Sequence, residues 1–228
     1  LREIGEICSR NGIWLHVDAA MAGTALILPE YRWMTDGREY IDSFLFNPHK
    51  WMFTNFDCTA FFIKDAGRLI RTFEILPEYL RTRTRGQVND YRDWGIPLGR
   101  RFRALKLWYV MRSYGAEGLR EKIRNHIEYA ANLKNLILAE DDFELLAPVV
   151  INVVCFRYKP AGYSEEKLNA LNEQLNHALN DSGKIYLTHT ILNGIYTLRM
   201  VTAQTDLTSA HVEKAWELIK TTARAITA

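Results

Sequence analysis

The sequence has few cysteines and no residue pattern that would bind a metal ion. Its three cysteines, Cys8, Cys58 and Cys155, are scattered and odd in number, and none forms a C-x-x-C pair. This argues against both a disulfide framework and a zinc site. The six histidines also lack metal-ligand spacing, and none belongs to an H-E-x-x-H motif. We therefore expect a cytoplasmic protein, kept in a reducing compartment and without a bound metal.

Long apolar runs and a strong charge imbalance are absent too. No stretch approaches the ~20 consecutive apolar residues of a membrane helix, and the N-terminal region lacks the charged-then-apolar layout of a signal peptide. The net charge of +2 gives no reason to expect a nucleic acid or a membrane as partner. What is present is 48% hydrophobic residues in a chain of 228, which is enough for a sizeable buried core.

The hydrophobic pattern changes along the chain, which predicts two parts. Residues 1–112 alternate helical and strand patterns and are expected to form a mostly parallel α/β sheet, in which the third strand, 58–63, is buried on both faces. Residues 113–228 are expected to form an α+β domain with antiparallel strands, including a hairpin around Asn193 and Gly194. Periodicity fails over 73–94, a polar and cationic connection that we interpret as a lid.

One lysine follows a predicted strand and one aspartate ends another. Lys50 comes after the apolar run 41–46, and Asp18 ends the run 13–18. A lysine delivered from a buried strand into a short loop should be desolvated, which lowers its pKa and lets it form a Schiff base with a carbonyl. Taken alone, Lys50 could equally extend into solvent and Asp18 could form a turn. Together at one sheet edge, the pair suits pyridoxal phosphate, with the acid on the ring nitrogen and the lysine on the aldehyde.

Four motifs carry a resemblance to a known family. The sequence His-Val-Asp-Ala-Ala stands at 16–20, Asn-Pro-His-Lys-Trp at 47–51, Asn-Phe-Asp-Cys at 55–58 and Pro-Leu-Gly-Arg-Arg-Phe-Arg at 97–103. In this order and spacing they resemble the pyridoxal-phosphate-dependent amino-acid decarboxylases of the aromatic L-amino-acid branch. The resemblance implies a fold-type-I enzyme, the C-terminal half of its large domain followed by a small domain. It also implies an N-terminal portion of the same protein ahead of Leu1.

The resemblance also implies roles for single residues around the cofactor. Asp18 would be the partner of the ring nitrogen, Lys50 the residue that carries the cofactor, and Ala20 a small residue packed on the ring. Asn47 would lie near the cofactor phosphate, and His49 would contact either the phosphate or the lid. Alternatively, Asn47 could serve a turn and His49 could be a buried histidine bonded to backbone. Ser43 leaves the same alternatives open as Asn47, and we favour Asn47 as the phosphate donor.

Tyr79 and Gly99 bear on the reaction and on assembly. Tyr79 resembles the family's lid tyrosine that protonates Cα after carbon dioxide leaves, whereas relatives with phenylalanine there tend towards aldehyde formation; without the resemblance, it could simply pack on a neighbour. Gly99 is expected to open a helix whose backbone N–H could hold an anion. In the family this segment reaches the active site of the neighbouring subunit, which implies a homodimer with shared sites.

The resulting prediction is a carboxy-lyase that converts an aromatic L-amino acid into its amine and carbon dioxide. Asp18, Lys50 and Tyr79 would be the catalytic residues. Two alternatives stay open: a related decarboxylase of another amino acid or an aromatic aldehyde synthase, and a non-catalytic, dimer-forming fragment. The sequence does not rank the candidate substrates.

Overall fold

A computed structural model describes residues 1–75 and 87–227. The chain divides into two compact units, Leu1–Ala116 and Glu117–Ala228. Within the described ranges, no helix combines the length and the apolar character that crossing a bilayer demands. The assignment of the two units to a large-domain half and a small domain stays a prediction.

The first unit is built on a three-stranded sheet. Its strands are β1 (His16–Asp18), β2 (Ser43–Phe46) and β3 (Ala60–Ile63), in the order β1-β2-β3. The β1–β2 pair is parallel and the β2–β3 pair is antiparallel. The α/β class is confirmed, with β3 as the exception to the expected parallel arrangement.

Short helices surround this sheet in the described residues. They are α1 (Arg2–Arg10), α2 (Pro48–Trp51) and α3 (Ala66–Phe73), together with 3-10 segments at Ala22–Ile27, Pro29–Thr35, Arg38–Tyr40 and Tyr91–Trp94. The carboxylate of Asp65 caps α3 by accepting a hydrogen bond from the backbone N–H of Arg68.

The expectation that β3 is buried on both faces is wrong for the described residues. Phe61 and Phe62, which point to opposite faces of the sheet, are 46% and 57% exposed. The physical reason is that no described element covers these two side chains, and β3, which pairs with β2 alone among the described strands, lies at the edge of the sheet. Apolar composition predicts that a strand can be buried, but the surrounding topology decides whether it is.

Helix α4 (Arg103–Leu138) runs from the first unit into the second and is interrupted at Gly115. Gly115 has φ 64° and ψ 176°, a backbone conformation that is almost confined to glycine. The break at this glycine divides α4 into two helical segments.

The second unit is an antiparallel sheet with helices on one face. Its strands β4 (Phe143–Leu145), β5 (Val153–Tyr158), β6 (Thr188–Leu192) and β7 (Ile195–Val201) lie in the order β4-β5-β7-β6. Alternate residues of β5 and β7 are buried against apolar residues of α4, α5 (Glu165–Asp181) and α6 (Ser209–Thr227). The predicted hairpin is confirmed, since Asn193 and Gly194 connect β6 to β7 with φ of 52° and 83°.

Candidate active site

Strands β1 and β2 bring two segments of the predicted site to the same sheet edge. Asp18, the last residue of β1, lies opposite Leu45 in the parallel register, and the backbone N–H of Ala19 donates to the carbonyl of Leu45 over 3.0 Å. Beyond the strands, the N–H of Asn47 donates to the carbonyl of Ala20, also over 3.0 Å. Asp18, Ala20 and the start of α2 therefore emerge together at the carboxyl end of a parallel pair, where α/β sheets bind ligands.

Asp18 is exposed and only partly engaged. Its Oδ1 atom accepts a hydrogen bond from the N–H of Ala20 over 2.9 Å, which is the turn-forming role considered as the alternative from the sequence. Among the described residues, no ion pair involves Asp18 and no hydrogen bond to its Oδ2 is found. The turn and a ligand role are compatible, because one carboxylate oxygen holds the turn while the other faces solvent.

Lys50 lies on α2, a single helical turn, rather than in the loop that the sequence predicted. The turn forms because Pro48 occupies its first position, where the fixed φ of proline suits a helix start and no N–H is missed. Among the described residues nothing buries the Lys50 side chain, which is exposed, so the lysine is not desolvated there as expected. Its amine makes no hydrogen bond or ion pair with those residues and is chemically available.

Asn47 and His49 flank the lysine and are both held by the segment that leads into β3. The side-chain oxygen of Asn47 accepts a hydrogen bond from the Thr59 hydroxyl over 2.8 Å. The Nδ1 atom of His49 lies 3.0 Å from the backbone nitrogen of Cys58 and 2.7 Å from its carbonyl oxygen. The backbone contact considered as an alternative for His49 is therefore present, and its Nε2 atom has no partner among the described residues.

Ser43 has a structural role at the opposite end of β2. Its hydroxyl is buried and accepts a hydrogen bond from the indole N–H of Trp14 over 2.9 Å. It also lies 2.8 Å from Nδ1 of His16. These contacts engage the hydroxyl within the sheet, and the choice of Asn47 as the phosphate donor stays a prediction.

Gly99 does not open a helix, which corrects the sequence prediction. It lies in an exposed bend, and α4 begins only at Arg103. A helix starting at Gly99 would place Arg100 and Arg101 in its first turn, where the positive end of the helix dipole disfavours cations. Tyr79 and half of the predicted lid fall at 76–86, outside the described residues, so the role of Tyr79 stays a prediction.

Comparison with known proteins decides the family. The profile described as the pyridoxal-dependent decarboxylase conserved domain matches residues 1–159. The chain belongs to this family. A phenylacetaldehyde synthase of Arabidopsis thaliana is 45% identical over 223 residues, which cover 96% of this chain and 45% of that protein. An aromatic-L-amino-acid decarboxylase of Rattus norvegicus is 42% identical over 228 residues, covering 99% and 46%.

A solved structure shares the same fold. The Oryza sativa TDC structure with PLP and tryptamine matches with a TM-score of 0.94 and 39% identity, covering 99% of this chain and 47% of that one. The fold-type-I class predicted from the sequence is thereby confirmed. The chain spans about half the length of the relatives that it matches.

The residues at the sheet edge fit the cofactor of this family. Pyridoxal phosphate requires an amine for its aldehyde, an acid for its ring nitrogen and donors for its phosphate. Lys50 and Asp18 supply an uncommitted amine and a free carboxylate oxygen at one edge. The half-buried Ala20 places only a methyl group there, which leaves room for a flat ring.

Sequence reasoning missed the ion cluster around Asp57. The carboxylate of Asp57 accepts hydrogen bonds from Arg101 over 3.0 Å and from Arg103 over 2.9 Å, and Lys106 lies 3.9 Å away. Desolvation raises the pKa of Asp57, but the hydrogen bond from Arg103 and the charge of Arg101 outweigh it and lower the pKa overall. The motifs at 55–58 and 97–103 were both recognised in the sequence. The contact between them joins residues more than forty positions apart, and hydrophobic periodicity does not reveal such pairings.

Proposed function

We propose that the full-length protein containing this chain uses pyridoxal phosphate to decarboxylate an aromatic L-amino acid, releasing the amine and carbon dioxide. The observation that carries this proposal is the parallel β1–β2 pair, which presents the free carboxylate oxygen of Asp18 and the start of the lysine-bearing turn at one edge. The family assignment and the relatives' activities, by their names, support the same reaction.

The roles of the residues follow from their chemistry. When bound, pyridoxal phosphate supplies an electron-accepting ring that takes up the electron pair released as a carboxylate leaves Cα. The amine of Lys50 would hold the cofactor aldehyde in the absence of substrate, and the ionised carboxylate of Asp18 would keep the ring nitrogen protonated. The Asn47 amide and Nε2 of His49 would hold the phosphate.

Tyr79 is the residue proposed to determine the product. A phenol with a pKa near ~10 carries its proton at neutral pH and can donate it. Tyr79 would deliver that proton to Cα once carbon dioxide has left, which gives the amine. Replacing Tyr79 with phenylalanine would remove this proton, so the proposed role ties the amine product to the phenol.

Assembly and location complete the proposal. We propose a homodimer with shared active sites, located in the cytoplasm. The matched relatives are about twice as long as this chain, and we propose that the corresponding additional polypeptide completes each site. The dimer is proposed from the resemblance of residues 97–103 to the family segment that reaches the neighbouring subunit's active site. Light scattering of the purified protein should give twice the mass of one polypeptide; a monomeric mass at micromolar concentration would contradict the dimer.

The decisive experiment concerns Lys50. Borohydride reduction of the cofactor-loaded protein, followed by peptide mass spectrometry, should place the cofactor mass on Lys50. Lys50→Ala should lose this label, and its rate of amine release should fall by several orders of magnitude. Lys64→Ala is the matched control, since Lys64 follows β3 and its amine donates to the Glu39 carbonyl. A label on another lysine would overturn the proposed site.

An aromatic aldehyde synthase is the second candidate function. The relative from Arabidopsis thaliana, named a phenylacetaldehyde synthase and 45% identical, favours it. The two reactions differ in products that can be measured from one incubation with tyrosine, dopa, tryptophan, phenylalanine or histidine. Amine with carbon dioxide would support the decarboxylase, whereas aldehyde with hydrogen peroxide would support the synthase and remove the role given to Tyr79.

A further inference from the structure

The hydrogen bond between Thr59 and Asn47 fixes which end of the Asn47 amide is free. The Thr59 hydroxyl donates to the side-chain oxygen of Asn47 over 2.8 Å. The antiparallel register of β2 and β3 explains the contact, because Phe46 pairs with Ala60, so that Asn47, which follows Phe46, comes opposite Thr59, which precedes Ala60. The two side chains meet just beyond the last paired residues, at the end of β2 that leads to Lys50.

The two ends of an amide differ in what they can bind. Its oxygen accepts hydrogen bonds and its nitrogen only donates them, whereas an ionised phosphate only accepts. A phosphate therefore needs the NH₂ group, and the hydrogen bond from Thr59 holds the amide with its oxygen on the Thr59 side. We infer that Thr59 is a positioning residue that orients the Asn47 amide with its NH₂ group towards the cofactor phosphate, an inference that rests on the proposed function.

Thr59 is well placed for this role because the preceding residues are anchored on two sides. The carboxylate of Asp57 is held by Arg101 and Arg103 over 3.0 and 2.9 Å. The backbone of Cys58 contacts Nδ1 of His49 on α2. The segment 57–59 is therefore tied both to the start of α4 and to the turn that carries Lys50, so the hydroxyl of Thr59 is presented from a fixed backbone.

Three substitutions distinguish the effect of losing the Thr59 hydroxyl from the effect of changing the shape of the side chain. Thr59→Val removes the hydroxyl with little change in volume, and Thr59→Ser keeps it. Thr72→Val is the matched control, since Thr72 is also exposed and its hydroxyl donates to the Arg68 carbonyl over 2.9 Å on α3. Each variant is made in the full-length protein, and circular dichroism verifies that it folds.

The measurement is the equilibrium affinity for two probes, pyridoxal phosphate and pyridoxal, followed by the change in protein fluorescence. Thr59→Val should weaken pyridoxal phosphate binding by about three- to tenfold, the range for one lost hydrogen bond. Its affinity for pyridoxal, which has no phosphate, should not change. Thr59→Ser and Thr72→Val should bind both probes like the unmodified protein. An equal loss for both probes, or no loss for either, would overturn the inference.

A double-mutant cycle with Asn47 tests whether Thr59 acts through the amide. In an Asn47→Ala background, adding Thr59→Val should change the affinity for pyridoxal phosphate by less than about twofold, because the amide that it orients is gone. The same three- to tenfold loss in that background would assign Thr59 an independent role and overturn the inference. Failure of the proposed function is a separate outcome: there, the unmodified protein itself would not bind pyridoxal phosphate on Lys50.

Discussion

At the residue scale, the site combines side chains that already have one partner with side chains that have none. One oxygen of Asp18 and one nitrogen of His49 are engaged by nearby backbone, while the amine of Lys50 is free within the described residues. The engaged atoms fix the direction of each group and leave a single atom for a ligand. Such partial engagement reduces the conformational freedom that binding must remove.

The charge of Asp18 can be tested separately from its turn. Asp18→Asn keeps an oxygen for the N–H of Ala20 but cannot keep a ring nitrogen protonated by ion pairing. We expect its turnover of an aromatic amino acid to fall by roughly 10²- to 10³-fold, the usual cost of losing one preorganised electrostatic contact. Steady-state kinetics of the cofactor-loaded protein measure this.

The control for that substitution is Asp42→Asn. The carboxylate of Asp42 accepts a hydrogen bond from the N–H of Leu15 over 2.8 Å, beside the other end of β2. It should retain turnover within about twofold, because an amide oxygen can accept the same bond. Equal turnover in the Asp18→Asn and unmodified proteins would contradict the role given to Asp18.

At the element scale, features encoded by neighbouring residues could be predicted and features set by distant pairings could not. The hairpin at Asn193 and Gly194 depends on local backbone chemistry, and it was predicted correctly. The exposure of β3 and the contact between Thr59 and Asn47 depend on which strands pair and in what register. The carboxyl-edge position of Asp18 was predictable because parallel strands align their ends, whereas the exposure of Lys50 depends on the residues around it.

The break in α4 leads to a prediction about stability. Gly115→Ala would force a Cβ into a conformation with φ 64° and ψ 176°, which costs about 1–3 kcal/mol for residues other than glycine. The melting temperature should fall by several degrees, measured by calorimetry. Gly99→Ala is the control, because Gly99 is exposed, lacks a positive φ and has no atom within 4 Å of an added Cβ. Equal melting temperatures for the two variants would show that the break carries no strain.

At the scale of the whole molecule, the second unit contains a buried titratable group outside the proposed site. His126 is 2% exposed. Burial lowers its pKa below 6.5, the positive charge of Lys122 adds to that effect, and a hydrogen bond with the backbone of Gln204 opposes it. The folded protein therefore resists protonating His126 at a pH where the unfolded chain accepts the proton, and acid should favour unfolding.

The sign and size of this effect can be measured. The contribution of His126 to the free energy of unfolding should be constant above the pKa that this histidine has in the unfolded chain. Below that pKa the free energy of unfolding should fall with pH, by at most ~1.4 kcal/mol per pH unit. Urea unfolding from about pH 7.5 to about pH 5.5 measures the slope. His126→Gln should flatten it, while the exposed His177→Gln should leave it unchanged. An unchanged slope in His126→Gln would exclude this residue as its source.

Trp51, the neighbour of Lys50 on α2, is fully buried, with 0% exposure. The buried indole anchors the turn that carries Lys50, while the lysine side chain itself is exposed. The amine is therefore carried by a flexible four-carbon chain on an anchored backbone. Differences in how fast reagents label this lysine should follow their access to the exposed side chain.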